Sequence, residues 1–129
     1  MSLQDRLPGT YRLVGIETRT TAGHVSRPMG ERPTGMFMFD GSNFCVQLAP
    51  TDRGPSAPPL VAMFGTYEVD EIAWIFVLTP EGSGDPSLVG TRIVRRVAFD
   101  GDLAIFTTPP TLVDGAEATT TITWRRVAG

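Results

Sequence analysis

Residues that cross-link chains or bind metals are nearly absent from this sequence. Its 129 residues include one cysteine, Cys45, and one histidine, His24. A single cysteine excludes an intrachain disulfide, and one histidine with one cysteine does not make the usual zinc ligand set. Phosphate-loop, nucleophile-elbow and H-E-x-x-H motifs are also missing. We therefore expect no metal and no cofactor. His24 is expected at an exposed turn position, and Cys45 is expected to be an inert thiol in the core.

Lysine is missing altogether, since the 11 basic residues are all arginine, and the formal net charge is −3. Without a basic stripe, nucleic acid and anionic membrane surfaces are not expected partners. The longest apolar run, residues 72–78, is too short to cross a bilayer as a helix. The first nine residues lack the basic and apolar regions of a signal peptide. These features predict a cytoplasmic protein.

Sustained helical patterns are missing as well. The one exception is a single turn near the N-terminus, where Leu3 and Leu7 lie one helical turn apart before Pro8. Elsewhere, 11 prolines and 14 glycines separate short runs rich in β-branched and aromatic residues, which is typical of strands and turns. The sequence predicts one all-β domain over residues 1–129 with a short N-terminal capping segment.

The predicted strands follow one another as hairpins. Asp40-Gly41 and Asp100-Gly101 are strong hairpin signals, and the proline- and glycine-rich residues 50–59 and 80–86 are predicted loops. The predicted strands are residues 10–18, 25–29, 36–39, 43–48, 60–69, 73–79, 91–99, 103–107 and 119–127. Roughly eight sequential antiparallel strands form a sandwich or an up-and-down barrel. Closure removes exposed edges, which favours the barrel.

Several of these strands are apolar on both faces, for example at residues 36–39 and 74–78. The strands of a simple barrel alternate between an inward and an outward residue. Part of the outer surface is therefore expected to be covered by the N-terminal segment, by the long loops or by a second subunit. A homodimer through the outer sheet face is one of these expectations.

Five segments, taken in order, resemble bacterial lipocalin-like domains, which are small β-barrels of the calycin type. They are GTYRLVGIE (9–17), PTGMFMFDGSNFCVQLAP (33–50), FGTYEVDE (64–71), VGTRIVRRVAFDGDLAIFTTPP (89–110) and TITWRR (121–126). The ordered set covers nearly the whole chain. Tyr11 stands where the family usually has tryptophan, and the strand after Val69 lacks the histidines often seen there. The resemblance implies a lipocalin-like barrel with a ligand cavity, and it implies no single reaction.

Large, adaptable side chains are the candidates for the wall of that cavity. Core packing is their default role, but methionine suits an irregular pocket and a small barrel can leave room for one ligand. The predicted ligand-binding residues are Met36, Met38, Phe44, Met63, Phe64, Trp74 and Phe76.

Glu17 and Arg95 are the candidate catalytic residues. If Tyr11 points inward, a period of two places Glu17 on the same face, either as an interior acid or base or in a salt bridge at the rim. Arg95 shares the face of residues 93, 97 and 99. If that face is the core, the arginine needs a carboxylate or a ligand anion. Otherwise the opposite face, which carries Arg96, is the core face, or Arg95 extends out of one end of the barrel. An internal Glu17–Arg95 pair is the preferred prediction.

The two ends of the barrel are predicted to differ. The N-terminal segment can cover only one mouth, so the ligand is expected to enter at the end bordered by residues 50–59 or 80–86. A basic residue after Trp124 is expected to pack over the aromatic residue of the first strand. The predicted plug of the closed end consists of Leu3, Leu7, Tyr11 and the Trp124–Arg125 pair.

Three functions remain open from the sequence. The first is a barrel that binds a small, mainly apolar molecule with one polar or acidic group. The second is a cofactor-independent cyclase, isomerase or dehydratase acting on a polyketide-like or terpenoid-like substrate. The third is a filled barrel with an oligomeric or structural role. An internal ionisable residue beside an empty cavity favours the enzyme, and a smooth apolar cavity favours the binding protein.

Overall fold

The computed structural model describes residues 1–52, 54–113 and 115–129. These residues form one short α-helix, ten β-strands and one 3₁₀ turn at Pro86–Leu88. The elements are α1 (Leu3–Arg6), β1 (Gly9–Thr20), β2 (Val25–Ser26), β3 (Thr34–Phe39), β4 (Asn43–Ala49), β5 (Val61–Asp70), β6 (Ile75–Ser83), β7 (Ile93–Asp100), β8 (Leu103–Thr107), β9 (Thr111–Val113) and β10 (Ala116–Ala128).

The strands form a closed antiparallel barrel. Eight of them (β1, β3, β4, β5, β6, β7, β8 and β10) are hydrogen-bonded in sequence, and β1 pairs with β10 to close the sheet. The short strands β2 and β9 are added beside β1 and β10. The predicted all-β, up-and-down barrel of about eight strands with a short N-terminal segment is confirmed.

Most predicted strands differ from the structure by a few residues at their ends, and three differences are larger. The strand predicted at residues 25–29 is only two residues long. Strand β6 continues to Ser83, into the predicted loop. Strand β9 was not predicted. Short edge strands of this kind are set by pairing with a neighbour, which single-strand patterns do not record.

The β3–β4 hairpin has the predicted Asp40-Gly41 turn. Gly41 has a φ of 109°, a conformation that favours glycine. Asp40 accepts hydrogen bonds through Oδ1 from the backbone N–H groups of Ser42 (2.9 Å) and Asn43 (2.6 Å). These bonds lower the pKa of Asp40, the bond from Ser42 having the largest effect. The ionised carboxylate therefore stabilises the turn that sets the register of β3 against β4.

Aromatic rings fill the half of the barrel nearest α1. Phe37 and Phe39 are stacked with their centroids 4.3 Å apart. Phe76 and Phe106 meet edge to face at 4.8 Å, and both also contact the Phe37 ring. All four side chains are buried. Buried rings in such contacts contribute packing energy beyond their area alone, so this half is a solid core.

The same end is closed by α1 and the side chains beneath it. Leu3, Leu7 and Tyr11 are completely buried there, as predicted. The Glu71 carboxylate accepts from the backbone N–H groups of Leu3 (2.7 Å) and Gln4 (2.9 Å), which holds the start of α1 against the barrel.

The arginine of the plug was predicted wrongly. The guanidinium carbon of Arg126, not that of Arg125, lies 4.9 Å from the centroid of the Tyr11 ring. Alternation along β10 places Trp124 and Arg126 on the interior face. Arg125 points to solvent and pairs with Asp102 at 3.4 Å.

Candidate functional site

The half of the barrel farthest from α1 contains a pocket of about 610 Å³. Its mouth lies at the end of the barrel that carries the 3₁₀ turn, where Leu88, Thr91, Arg92 and Pro109 form the rim. The walls and floor include Phe37, Val46, Leu48, Val61, Met63, Leu78, Ile93, Phe106, Ile122 and Trp124. We call this space the barrel pocket.

The sequence explains why this half is open. Interior positions near α1 carry aromatic side chains, whereas those toward the mouth carry shorter aliphatic ones such as Val46, Leu48, Val61 and Ile122. Aliphatic side chains of this length leave space at the centre of an eight-stranded barrel. The boundary between the two halves is formed by the rings of Phe37 and Trp124, and the Phe37 ring is also stacked in the core.

Arg95 is inside the barrel pocket. Along β7, Val97 is buried and Arg95 lies two residues before it on the same interior face. Nη1 of Arg95 donates to the backbone carbonyl of Val94 at 2.8 Å. Desolvation by burial lowers the pKa of Arg95. Among the residues that the structure describes, no carboxylate forms an ion pair with this guanidinium.

Glu17 does not join Arg95, so the predicted internal pair is wrong. The register of β1 on β10 shifts between Leu13 and Gly15, which inserts a bulge and reverses the alternation that follows. Ile16 is consequently buried, and Glu17 lies on the outer surface. Its carboxylate contacts Arg19 at 2.9 Å and Arg27 at 3.8 Å. The alternative prediction was a salt bridge at the rim, and Glu17 does form salt bridges, which lie on the outer surface.

Of the seven predicted ligand-binding residues, Met63 lines the barrel pocket. Phe44 and Phe76 point inward but are buried in the solid core. Trp74 is at the opposite end, where its ring meets the edge of Phe99 with centroids 6.0 Å apart. Trp74 is the last residue of the β5–β6 turn and has a φ of 53°.

The other three predicted residues, Met36, Met38 and Phe64, point away from the interior. Met38 pairs with Cys45 and Cys45 pairs with Phe64, so the three side chains form one row across the outer face. Met38 and Phe64 are 41% and 55% exposed. Alternation explains the result, because Phe37 and Met63, their neighbours along the chain, take the interior positions.

This outer row has two further consequences. Cys45 is half-buried on the outer face and is not the core thiol that was predicted. The row borders a shallow groove of about 310 Å³ that also includes Met36 and Leu60. The outward methionines of this row explain why β3 is apolar on both faces. The homodimer through this outer face stays a prediction.

Trp124 was assigned to the closed end, yet its ring also lines the barrel pocket. The side chain is 1% exposed, and its indole nitrogen has no hydrogen-bond partner among the described residues. Ile122 lies two residues earlier on the same face. Counting by twos from Trp124 along the last strand would have identified Ile122 as a wall residue.

His24 is exposed in the turn between β1 and β2, as predicted. In the part of the chain that the structure describes, no three His, Cys, Asp or Glu residues are grouped so that they could hold a metal ion. None of the described helices is both long and apolar enough to cross a membrane.

A closed eight-stranded barrel with an interior pocket is the architecture of the lipocalin-like class. The family model of the lipocalin-like domain matches residues 8–59 and 55–127. The match spans nearly all of the chain, and the protein therefore belongs to the lipocalin-like domain family. Searches of curated proteins and of solved structures gave no match.

Proposed function

We propose that this protein binds one small, mainly apolar molecule inside its barrel. The observation that carries the proposal is the barrel pocket, whose volume of about 610 Å³ is lined mainly by aliphatic and aromatic side chains. Pockets that hold small organic molecules usually measure about 300–1,000 Å³ and have mostly apolar walls. Membership of the lipocalin-like family supports the same kind of ligand.

The ligand would enter past the 3₁₀ turn Pro86–Leu88. Leu88 lies at the mouth, and Leu48 and Val61 lie on either side of the loop between β4 and β5. The other end is closed by α1 and by the buried Tyr11. The sequence prediction placed entry at the end bordered by residues 50–59 or 80–86, and the geometry supports that assignment.

The alternative function is a cofactor-independent cyclase, isomerase or dehydratase acting on a polyketide-like or terpenoid-like substrate. Such chemistry is usually assisted by a group that donates or accepts a proton. The described residues lining the barrel pocket include no Asp, Glu, His, Cys or Tyr. Arg95 holds its proton too tightly for this role, although it can hold an anion. Binding is thus the function that the geometry supports best.

A fluorescence titration tests this proposal. N-phenyl-1-naphthylamine is a neutral apolar probe whose emission rises when it leaves water, and it should bind the protein saturably. Ile122→Phe adds bulk inside the pocket and should weaken that binding about tenfold, a change of about 1.4 kcal/mol. The matched control is Thr123→Phe, which adds the same ring one residue later. Thr123 borders a groove on the outer surface, so this variant should bind like the wild type.

Two results would refute the proposal. One is the absence of saturable binding of the probe by the wild-type protein. The other is an equal loss of affinity in both variants, which would place the probe outside the barrel. Circular dichroism of each variant checks that the β-sheet content is unchanged.

A further inference from the structure

The charge inside the barrel pocket is opposite in sign to the charge of the chain. The protein carries a formal net charge of −3. Yet the charged residues among the described lining of the pocket are two arginines, Arg92 at the mouth and Arg95 inside. Carboxylates balance arginines elsewhere, as in the Glu17–Arg19 and Arg125–Asp102 pairs on the outer surface. The interior therefore presents unbalanced positive charge to whatever enters it.

Arg95 is the more telling of the two arginines. Removing a guanidinium from water costs several kcal/mol unless a partner of opposite charge compensates for it. Among the described residues, Arg95 donates one hydrogen bond, to the carbonyl of Val94, and this bond uses a single N–H of the five that the guanidinium carries. The remaining donors adjoin a pocket whose walls include Leu78, Ile93 and Phe106. The planar guanidinium presents pairs of parallel N–H donors, and in apolar surroundings such a pair matches the two oxygens of a carboxylate.

We propose that the ligand is an organic acid, with an apolar body in the barrel pocket and one anionic group paired with Arg95. This inference rests on the proposed function and adds the chemical class of the ligand. The apolar body fills the space between Met63, Ile122 and Trp124, while the acid lies toward β7. Arg92, exposed at the mouth, attracts the anion as it approaches.

The test is a displacement assay with two ligands that differ in charge. Dodecanoate and dodecanol have chains of equal length, and each competes with bound N-phenyl-1-naphthylamine. The wild-type protein should prefer dodecanoate at least about tenfold, because a hydrogen-bonded ion pair forms in apolar surroundings. Arg95→Met should abolish this preference, with both affinities calculated from that variant's own measured affinity for the neutral probe. Arg95→Lys, which keeps the charge and loses the paired donors, should retain part of the preference.

Arg96→Met is the matched control. Arg96 is the next residue along β7 and is exposed on the outer face, so removing its charge should leave the preference for dodecanoate intact. Equal affinity of the wild type for acid and alcohol would overturn the inference, as would a preference that survives in Arg95→Met. Failure of the neutral probe to bind the wild type would instead refute the proposed function. If Arg95→Met does not fold, Arg95→Gln takes its place in the comparison.

Discussion

Arg126 and Tyr11 interact in two ways at the closed end of the barrel. Nη2 of Arg126 donates a hydrogen bond to the Tyr11 hydroxyl at 2.7 Å, and the guanidinium carbon lies 4.9 Å from the centroid of the ring. The hydroxyl in turn donates to the carbonyl of Leu7 at 2.7 Å. Arg126 also donates to the carbonyls of Pro8 and Arg6. One side chain therefore joins the last strand, the first strand and the N-terminal segment.

Replacing Arg126 with Gln should lower the free energy of unfolding by about 1.5–3 kcal/mol, the range for hydrogen bonds to a charged group. Arg125→Gln is the control, since Arg125 and its partner Asp102 are 54% and 63% exposed. Exposed pairs contribute about 0–1 kcal/mol. Denaturant unfolding measures both variants. Equal losses would mean that the contacts of Arg126 add nothing beyond an exposed charge.

Tyr11→Phe should alter stability in alkaline solution. Burial is the largest cause of the raised pKa of Tyr11, outweighing the lowering effect of Arg126. Above pH 10, the ordinary tyrosine pKa, the unfolded chain loses this proton and the folded protein keeps it. The wild type therefore loses stability as the pH rises past about 10. The variant should lose less over the same interval in thermal melts. Parallel pH profiles would count against the burial of an un-ionised phenol.

Asp40→Asn should lower the midpoint of thermal unfolding at pH 7. The folded state lowers the pKa of Asp40 through hydrogen bonds from Ser42 and Asn43. Its contribution to stability is present above the unfolded pKa, about 3.9, and is lost as the pH falls through the folded value. The gap between wild type and variant should consequently shrink below about pH 4. A gap that stays constant into acid would show that the charge of Asp40 is irrelevant to the turn.

The two tryptophans should report differently on a bound ligand. Trp124 lines the barrel pocket, whereas Trp74 lies near Phe99 and Arg6 at the closed end. Dodecanoate should change the emission of the Trp74→Phe variant, which retains Trp124. It should leave the emission of Trp124→Phe nearly unchanged. The reverse pattern would move the ligand to the other end of the barrel and would restore Trp74 as a binding residue.

The fold followed from local signals, whereas the site depended on which face of each strand pointed inward. Turns such as Asp40-Gly41 and the order of the hairpins are encoded within a few residues, so the barrel could be predicted. Glu17 was misplaced because one bulge after Leu13 reverses every later position of that strand. Bulges arise from pairing between strands, and the local sign of this one is Gly15, since an isolated glycine within a strand often marks a bulge.

Strands with two apolar faces gave the second error. In the run Met36-Phe37-Met38-Phe39, both registers bury hydrophobic side chains, so hydrophobicity alone cannot choose between them. In the structure Phe37 and Phe39 point inward, and their rings pack against Phe76 and Phe106 in the core. Arg95 was placed more successfully, because Ile93 and Val97 on its own face are apolar and its strand has no register shift.

The solid half of the barrel has a consequence for how this protein can change. Interlocked rings around Phe37 and Phe76, held beneath α1, keep the sheet closed from one end. Side chains in the walls of the barrel pocket, such as Leu48, Val61 and Ile122, can then vary without disturbing this aromatic core. The core that holds the barrel closed and the pocket in which we propose that the ligand binds lie at opposite ends of the same strands. Substitutions of the side chains that line the pocket should therefore change which ligand fits while the aromatic core stays intact.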